Sequence, residues 1–449
     1  MKLRLRVLKG DDLRQIHHAT LRILSGIGIL VMDEDTRKRL KDHGCREGDD
    51  GYILFNEEVV RHALTSVPPR MILYNRNNEI AIDTDAARPQ FSSGVNCINF
   101  LDYKTGAHRP CVLADIRKST RVCERLKHID LVGSLGTPHD VPVQEEALVT
   151  VQTMLELTVK PVMFTAHDDA ESNDIWSYCA DIAGGLELLA EKPFALELTG
   201  PISPLTMDKE LCRRLRYVAR RSLPVVCFPG LMPGATGPVT LAGALAQSFA
   251  ETLACIVVHQ LEAPGAPIMS GSTVLPMDMR TGSLAYAGPE YSLTCLAATD
   301  YFEDIGIPSW VGAGHSDAHI VDSRAAAELG LNLLAAVLAG TPLIHNLGYL
   351  SSGKTASLEM LVLGDELAGM ASRIATGVKV DPESLALDVI KRSAKIGSFL
   401  ADTHTLRYVR SAAWVPSLWR RMDLTSWLDT SAPSVQSRIH EKLKELLNE

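Results

Sequence analysis

Short apolar runs recur along most of the chain, each closing on glycine or a polar residue and each followed by a stretch with apolar positions at helical spacing. The runs are Gln90–Gly94, Asp130–Gly136, Pro161–His167, Pro193–Gly200, Pro224–Gly230, Pro267–Ser272, Pro308–Gly314 and Pro342–Gly348. Most open on proline, which a strand tolerates at its first residue because no ladder donor is needed there. The segments between them, Ala114–His128, Gln144–Val159, Glu171–Ala190, Asp208–Ser222, Thr240–Leu261, Glu290–Ile305, Asp322–Ala339 and Ala356–Thr376, predict helices. Strand–helix alternation demands parallel strands with crossover helices. Eight such units predict an α/β fold of the (β/α)8 TIM-barrel type, with the active-site face made by the loops after the strands. An open doubly wound sheet is the alternative. No strand runs into G-x-G-x-x-G and no G-x-x-x-x-G-K-[ST] occurs, so nucleotide folds gain nothing.

The flanks read differently. Before the barrel, Asp11 or Asp12 opens a helix with apolar Leu13, Ile16, Leu21 and Leu24, and Asp33–His43 repeats the pattern. Tyr52–Phe55 and Met71–Tyr74 read as strands around a helix over Glu57–Ser66. After residue 376 the chain reads as helical and polar, with Trp414, Trp419 and Trp427. Three units are expected: a small N-terminal α/β lobe over 1–85, the barrel over 86–376, and over 377–449 a helical C-terminal extension packed on the barrel.

Composition narrows the class. Hydrophobic residues are 46% and charged residues 22% of 449, enough to bury a large core. The net charge of −9 comes with scattered Lys and Arg, which argues against nucleic acid as a partner. No apolar run of ~20 residues is evident, and the first residues lack a signal-like apolar region, so a cytoplasmic protein without membrane contact is expected. Nine dispersed cysteines without a C-x-x-C pair read as reduced thiols.

The ends of the strands carry the candidate chemistry. His315, Asp317 and His319 (H-S-D-A-H), joined by His345, present metal-binding residue types, yet the first strand lacks the H-x-H of metal-dependent barrel hydrolases. Asp168 reads either as a site residue or as a cap for the following helix. Alternation in P-F-A-L-E-L-T-G puts Glu197 and Thr199 on one face; with Phe194, Leu196 and Leu198 packed on the helices, Glu197 points into the barrel and suits a cationic ligand. A structural hydrogen bond is the competing role. No lysine stands inside a predicted strand or at its C-terminal end, which argues against a Schiff-base aldolase, and no G-x-S-x-G elbow is present. The long Gly/Pro-rich stretches Pro229–Pro238 and Pro276–Pro289 follow the fifth and sixth strands, where long loops are usually functional.

Several segments together resemble the trimethylamine methyltransferase family of corrinoid-dependent enzymes: L-R-I-L-S-G-I-G-I-L-V near the start, G-P-I-S-P-L (Gly200–Leu205), P-G-A-T-G-P-V-T-L-A-G (Pro233–Gly243), R-T-G-S-L-A-Y-A-G-P-E (Arg280–Glu290), G-A-G-H-S-D-A (Gly312–Ala318) and L-I-H-N-L-G-Y-L-S-S-G (Leu343–Gly353). The resemblance implies transfer of a methyl group from a methylated amine to Co(I) of a corrinoid (cobalamin-type) cofactor carried by a separate protein. It also implies no metal or nucleotide in the chain itself. The archaeal trimethylamine enzymes carry pyrrolysine; here all residues are ordinary, as in members resembling glycine betaine methyltransferases. A quaternary ammonium fits such a site, because losing a methyl group releases a neutral amine without prior protonation. Positioning and desolvation then do the work.

On this reading the ammonium head is expected against Phe100, Tyr103, Phe228, Tyr349 and Glu197. The carboxylate of a betaine is expected on His345, helped by Asn96 and Asn346. Tyr286, Gly312, Gly314 and His315 are expected to line the corrinoid mouth. Core packing, hairpin packing or plain loop structure competes with each of these roles. Expected partners are the small amine, the corrinoid protein and further copies of the chain as a homo-oligomer. The alternatives are a metal-dependent barrel hydrolase and a non-catalytic amine-binding protein.

Overall fold

The computed structural model describes residues 4–429 and 434–448. Eight parallel strands close into a barrel: β1 (Gln90–Ser93), β2 (Val132–Gly133), β3 (Val162–Phe164), β4 (Ala195–Thr199), β5 (Val225–Cys227), β6 (Ile268–Gly271), β7 (Ser309–Gly312) and β8 (Leu343–Leu347). β8 pairs back onto β1, and a bridge between Ser92 and Leu131 completes the circuit. Each strand starts within a predicted run. The crossover helices are α1 (Leu113–Arg125), α2 (Glu146–Leu157), α3 (Asp169–Ala183), α4 (Lys209–Arg220), α5 (Leu241–Glu262), α6 (Pro289–Asp304), α7 (Ser323–Ala339) and α8 (Leu358–Ala375). The third predicted helix breaks after Ala183 because Gly184 adopts φ +85° and ends it; Leu186–Glu191 forms a second short helix.

The barrel interior is a packed core of its own. Leu131, Met163, Leu196, Val226, Met269 and Leu343 fill it, and Met71, Leu73 and Ile82 from an antiparallel hairpin (Ile72–Tyr74 with Ile80–Asp83) join them. That hairpin bonds to the residues preceding β3 and β4, through Val159 and Pro193, so it plugs the N-terminal face. A second core, between strands and helices, includes Phe91, Val132, Ala195, Val225 and Ile344.

Residues 4–85, expected as a lobe, pack against the barrel. Helices Gly10–Gly26 and Glu57–Ser66 lie on α5, and strand Leu30–Val31 pairs with Thr206–Met207 in the loop after β4. The G-P-I-S-P-L segment is therefore a fastening: Glu251 on α5 accepts bonds from the Leu205 N–H (2.8 Å) and the Ser203 hydroxyl (2.5 Å). Contrary to the reading of the sequence, one helix, α5, is long and apolar enough to cross a membrane. Every residue from Ala244 to Gln260 is buried, between barrel and N-terminal helices, which accounts for a helix apolar on all sides. The nine cysteines are all buried and unpaired.

Candidate active site at the barrel mouth

Above the aliphatic filling, four aromatic rings follow one another at the C-terminal end of the barrel. Phe228, just past β5, lies 4.5 Å from Trp310 on β7; Trp310 lies 5.1 Å from His345 on β8; and His345 meets Tyr349 edge-on at 6.2 Å. Alternation places them. Trp310 shares the inward face with the barrel filling, and His345 stands two residues past inward-facing Leu343. Beyond His345 the β8–β1 register shifts, with Asn346 at φ +79°. Tyr349 then turns back over β1, where its hydroxyl accepts from the Val95 N–H (2.6 Å) and donates to the Val95 carbonyl. Gly94 makes this passage: a Cβ there would sit 1.9 Å from the Tyr349 ring.

The electrostatics of this row are unusual for a core. His345 is 2% exposed, and burial pushes its pKa down to about 3, so the imidazole is neutral. Neither of its ring nitrogens has a hydrogen-bond partner in the protein, nor does the Trp310 indole N–H. Buried polar groups are almost always satisfied, so adjacent orphans at a barrel mouth point to a ligand that satisfies them. Trp310 can only donate, and neutral His345 has one donor and one acceptor.

Behind the row the loops lock together. The Tyr286 ring stacks on His315 at 4.0 Å, and the His315 Nε2–H donates to the Tyr286 carbonyl (2.9 Å). Burial holds the His315 pKa down at about 4. The Asn346 amide donates to the Tyr286 hydroxyl (2.6 Å). Asp317 accepts from the Ala287 N–H (2.9 Å) and the Ser352 hydroxyl (2.7 Å), clamping the loop after β6 to the loop after β8.

The family model for trimethylamine methyltransferase (MTTB) matches residues 2–449. The chain belongs to this methyltransferase family. It is 30% identical to a glycine betaine methyltransferase of Desulfitobacterium hafniense, over 98% of this chain and 92% of that one. A trimethylamine methyltransferase of the same species is 27% identical over 97% and 88%, and one of Methanosarcina barkeri is 29% identical over 99% and 90%. The fold is that of the monomethylamine methyltransferase of Methanosarcina barkeri (TM-score 0.52, 12% identity, 99% and 96% of the two chains covered).

Within this family member, several expected site residues take other places. Glu197 faces outward, because Leu196 and Leu198 fill the barrel. Its Oε2 accepts from Ser172 (2.9 Å) and Trp176 (2.8 Å) on α3, and Arg214 on α4 lies 3.6 Å from Oε1. The alternation was right and the face inverted, since the outer layer offers the paired cation that an aliphatic interior cannot. Phe100 and Tyr103 stay with their hairpin, outside the barrel interior. Arg109 lies over the Phe100 ring, and Tyr103 packs on His440 of the helix Val435–Leu447. Gly312 and Gly314 do not open onto the mouth; they are buried against the Asn346 amide and the Leu347 backbone, where a Cβ would clash. His315 is likewise fully buried, so it supports the loops from behind. Asn96 does stand exposed at the mouth, but its amide donates to Thr165 on the loop after β3 (2.7 Å), and the Asn346 amide is taken by Tyr286.

The hydrolase set disperses. His315 is stacked, Asp317 holds two loops, and exposed His319 bonds Ser351 (2.9 Å). Among the described residues no three His, Cys, Asp or Glu side chains gather as a metal site. Asp168 caps α3 through the Glu171 N–H. Reading the sequence missed Trp310, which stands inside its strand run in S-W-V-G. Its place on the same face as the glycine and histidine ends of β7 and β8 was the available signal. The cleft of about 570 Å³ among Pro89, Pro308 and Pro342 lies at the opposite, N-terminal face, where Arg4 is paired with Glu303 and Arg88 with Asp130.

Proposed function

We propose that the chain takes a methyl group from a quaternary ammonium compound of the betaine type and delivers it to a corrinoid carried by a separate protein. The observation that carries this reading is the buried neutral His345 beside Trp310, both with unpaired nitrogens, inside a row of aromatic faces. Aromatic faces suit a trimethylammonium head, which offers charge but no hydrogen-bond donor. A ligand carrying a carboxylate supplies the acceptor that the Trp310 N–H and one His345 N–H lack. A zwitterion satisfies both demands, and the glycine betaine relative supports that choice. Phe228 is the most accessible member of the row, so it is the side chain that yields as substrate reaches the others.

The C-terminal face fits a large partner-borne ring system. Six of its loops each carry an exposed large apolar side chain: Ile98, Val143, Ile202, Val239, Met279 and Ile320, all at least half exposed. The corrinoid, when brought to this face, supplies the cobalt nucleophile. The chain's own part is to hold the ammonium with one methyl toward the mouth, keep water from it, and release a neutral tertiary amine that requires no proton from the protein.

The test is spectroscopic. The protein is mixed anaerobically with cob(I)alamin, alone and with the corrinoid protein, and methylated amines are added one at a time. Loss of the Co(I) absorption with a betaine, and none with trimethylamine, is the expected result. Tight betaine binding by calorimetry with no transfer in either format would make this a binding protein instead.

A further inference from the structure

One more buried polar group without a partner stands at the barrel mouth, outside the aromatic row. Thr273 is 4% exposed, and its hydroxyl has no hydrogen-bond partner in the protein. Register fixes its direction. On β6, Met269 belongs to the barrel filling and Ile268 to the outer core. Alternation then turns Gly271 inward and Ser270 outward, and Ser272 agrees by bonding Ser248 on α5 (2.6 Å). Past Ser272 the chain is extended again as Thr273–Val274, which pairs with Gly230–Leu231 beyond β5. Val274 and its partner Leu231 lie in the outer core, so Thr273 and its partner Gly230 face inward.

The place of this hydroxyl sets it apart. Gly230 is exposed, and a Cβ placed on it would meet nothing within 4 Å, so the inner face beside Thr273 opens to the mouth. Gly271 pairs with Trp310, and the indole lies against that glycine, where a Cβ would stand 3.0 Å from the ring. Thr273 is the next inward position above it, about 7 Å further along the strand. Thr199 and Ser270 also carry buried hydroxyls without partners, but they flank Cys227 in the sheet and face the helices with it.

We propose that Thr273 is a specificity-determining residue: its hydroxyl donates to the carboxylate of the substrate and so selects betaines over quaternary ammonium compounds that lack one. This rests on the substrate reading above. A trimethylammonium head has no acceptor for the hydroxyl, whereas a carboxylate has two oxygens with about four acceptor positions. The Trp310 N–H and one His345 N–H fill two of them. In a site that excludes water, an unfilled carboxylate oxygen is costly, and the Asn96 and Asn346 amides are engaged elsewhere. Thr273 supplies the third donor. Discrimination comes from the protein side as well. A ligand without a carboxylate leaves Trp310, His345 and Thr273 buried and unpaired, and a site built around hydrogen bonds rejects such a ligand more strongly than one that merely loses contact area.

Titration calorimetry on the full chain, with glycine betaine and with tetramethylammonium, tests it in the wild type, Thr273→Val and Thr273→Ser. The valine keeps the branched shape and removes the hydroxyl. It is expected to weaken betaine binding about 10-fold or more and to leave the weaker binding of tetramethylammonium unchanged. Thr273→Ser is expected to restore most of the betaine affinity. Without ligand, the thermal midpoint of Thr273→Val should equal or exceed that of the wild type, because a hydroxyl with no partner is removed. A lowered midpoint would mark a structural hydroxyl and overturn the proposal. Equal losses for both ligands would make the effect one of shape and also overturn it. A wild type and Thr273→Val that bind betaine equally overturn the assignment of Thr273 and leave the substrate reading standing. A wild type that binds no betaine overturns the substrate reading, and this proposal with it. Should Thr273→Val unfold, Thr273→Ala replaces it in the two titrations, with the same outcomes.

Discussion

The lower and upper halves of the barrel interior are built by the same strands and behave as different materials. Below, Leu131, Met163, Leu196, Val226 and Met269 interdigitate with Met71, Leu73 and Ile82 of the plug, and nothing polar asks for a partner. Above, Phe228, Trp310, His345 and Tyr349 replace aliphatics with rings, and three ring nitrogens are buried without hydrogen bonds. The lower layer is complete as it stands. The upper layer is complete only when something else supplies an acceptor, so stability and function are separated by height along the strands.

The largest expected effect breaks the lower half. Leu196→Ala leaves a cavity in the aliphatic layer and should lower unfolding free energy by about 2–5 kcal/mol, read from urea denaturation. Activity per folded molecule should be unchanged. A fall in turnover without a fall in stability would show that the two halves are not separate.

Trp310→Phe adds a loss of function. It removes the lone donor together with part of the buried indole, so unfolding free energy should fall by about 1–3 kcal/mol and activity is read per folded molecule. The kcat/KM for a betaine should drop about 10–100-fold, the worth of one hydrogen bond to a charged group. A quaternary ammonium without a carboxylate should lose little. Equal losses for both substrates would remove the carboxylate from the upper layer.

A pH profile separates two kinds of buried histidine. His345 in the upper layer and His259 on α5 both have pKa values pushed down by burial to about 3, against about 6.5 unfolded. Between those values the unfolded chain binds the proton and the folded chain does not. Their contribution to stability is therefore complete above pH 6.5 and is lost as pH falls toward 3, by ~1.4 kcal/mol per pH unit for each. His259→Gln should flatten the slope of denaturation midpoint against pH between 4 and 6 by about one proton, with methyl transfer intact. Between pH 6 and 9 the wild-type transfer rate should show no step from His345, since it stays neutral throughout.

Much of this was readable from the chain, and the reasons are local. The eight runs and the helices between them follow from periodicity and proline placement, which depend on a few neighbouring residues each. His345 and Phe228 are candidates because they stand at strand ends, and Tyr349 through the family resemblance; the structure brings the three into one row with Trp310. Asp168 as a cap followed from its position alone. What failed was direction. Glu197 alternates with Leu196 and Leu198 as expected, but periodicity gives two faces without saying which is inside. Only Arg214 and Trp176, brought in from α4 and α3, decide it. Phe100 and Tyr103 take the competing role, packing in their own hairpin outside the barrel interior.

The sequence by itself determined the barrel, its strand positions and, through its motifs, the methyltransferase family, because these are carried by short-range patterns and by residue identity. The tertiary structure decided which of the aromatic and polar candidates meet. It put Trp310 beside His345 and spent Asn96, Asn346 and Asp317 on holding loops. Those outcomes depend on contacts between residues tens to hundreds of positions apart, and on whether a buried polar atom finds a partner there, which no local pattern encodes.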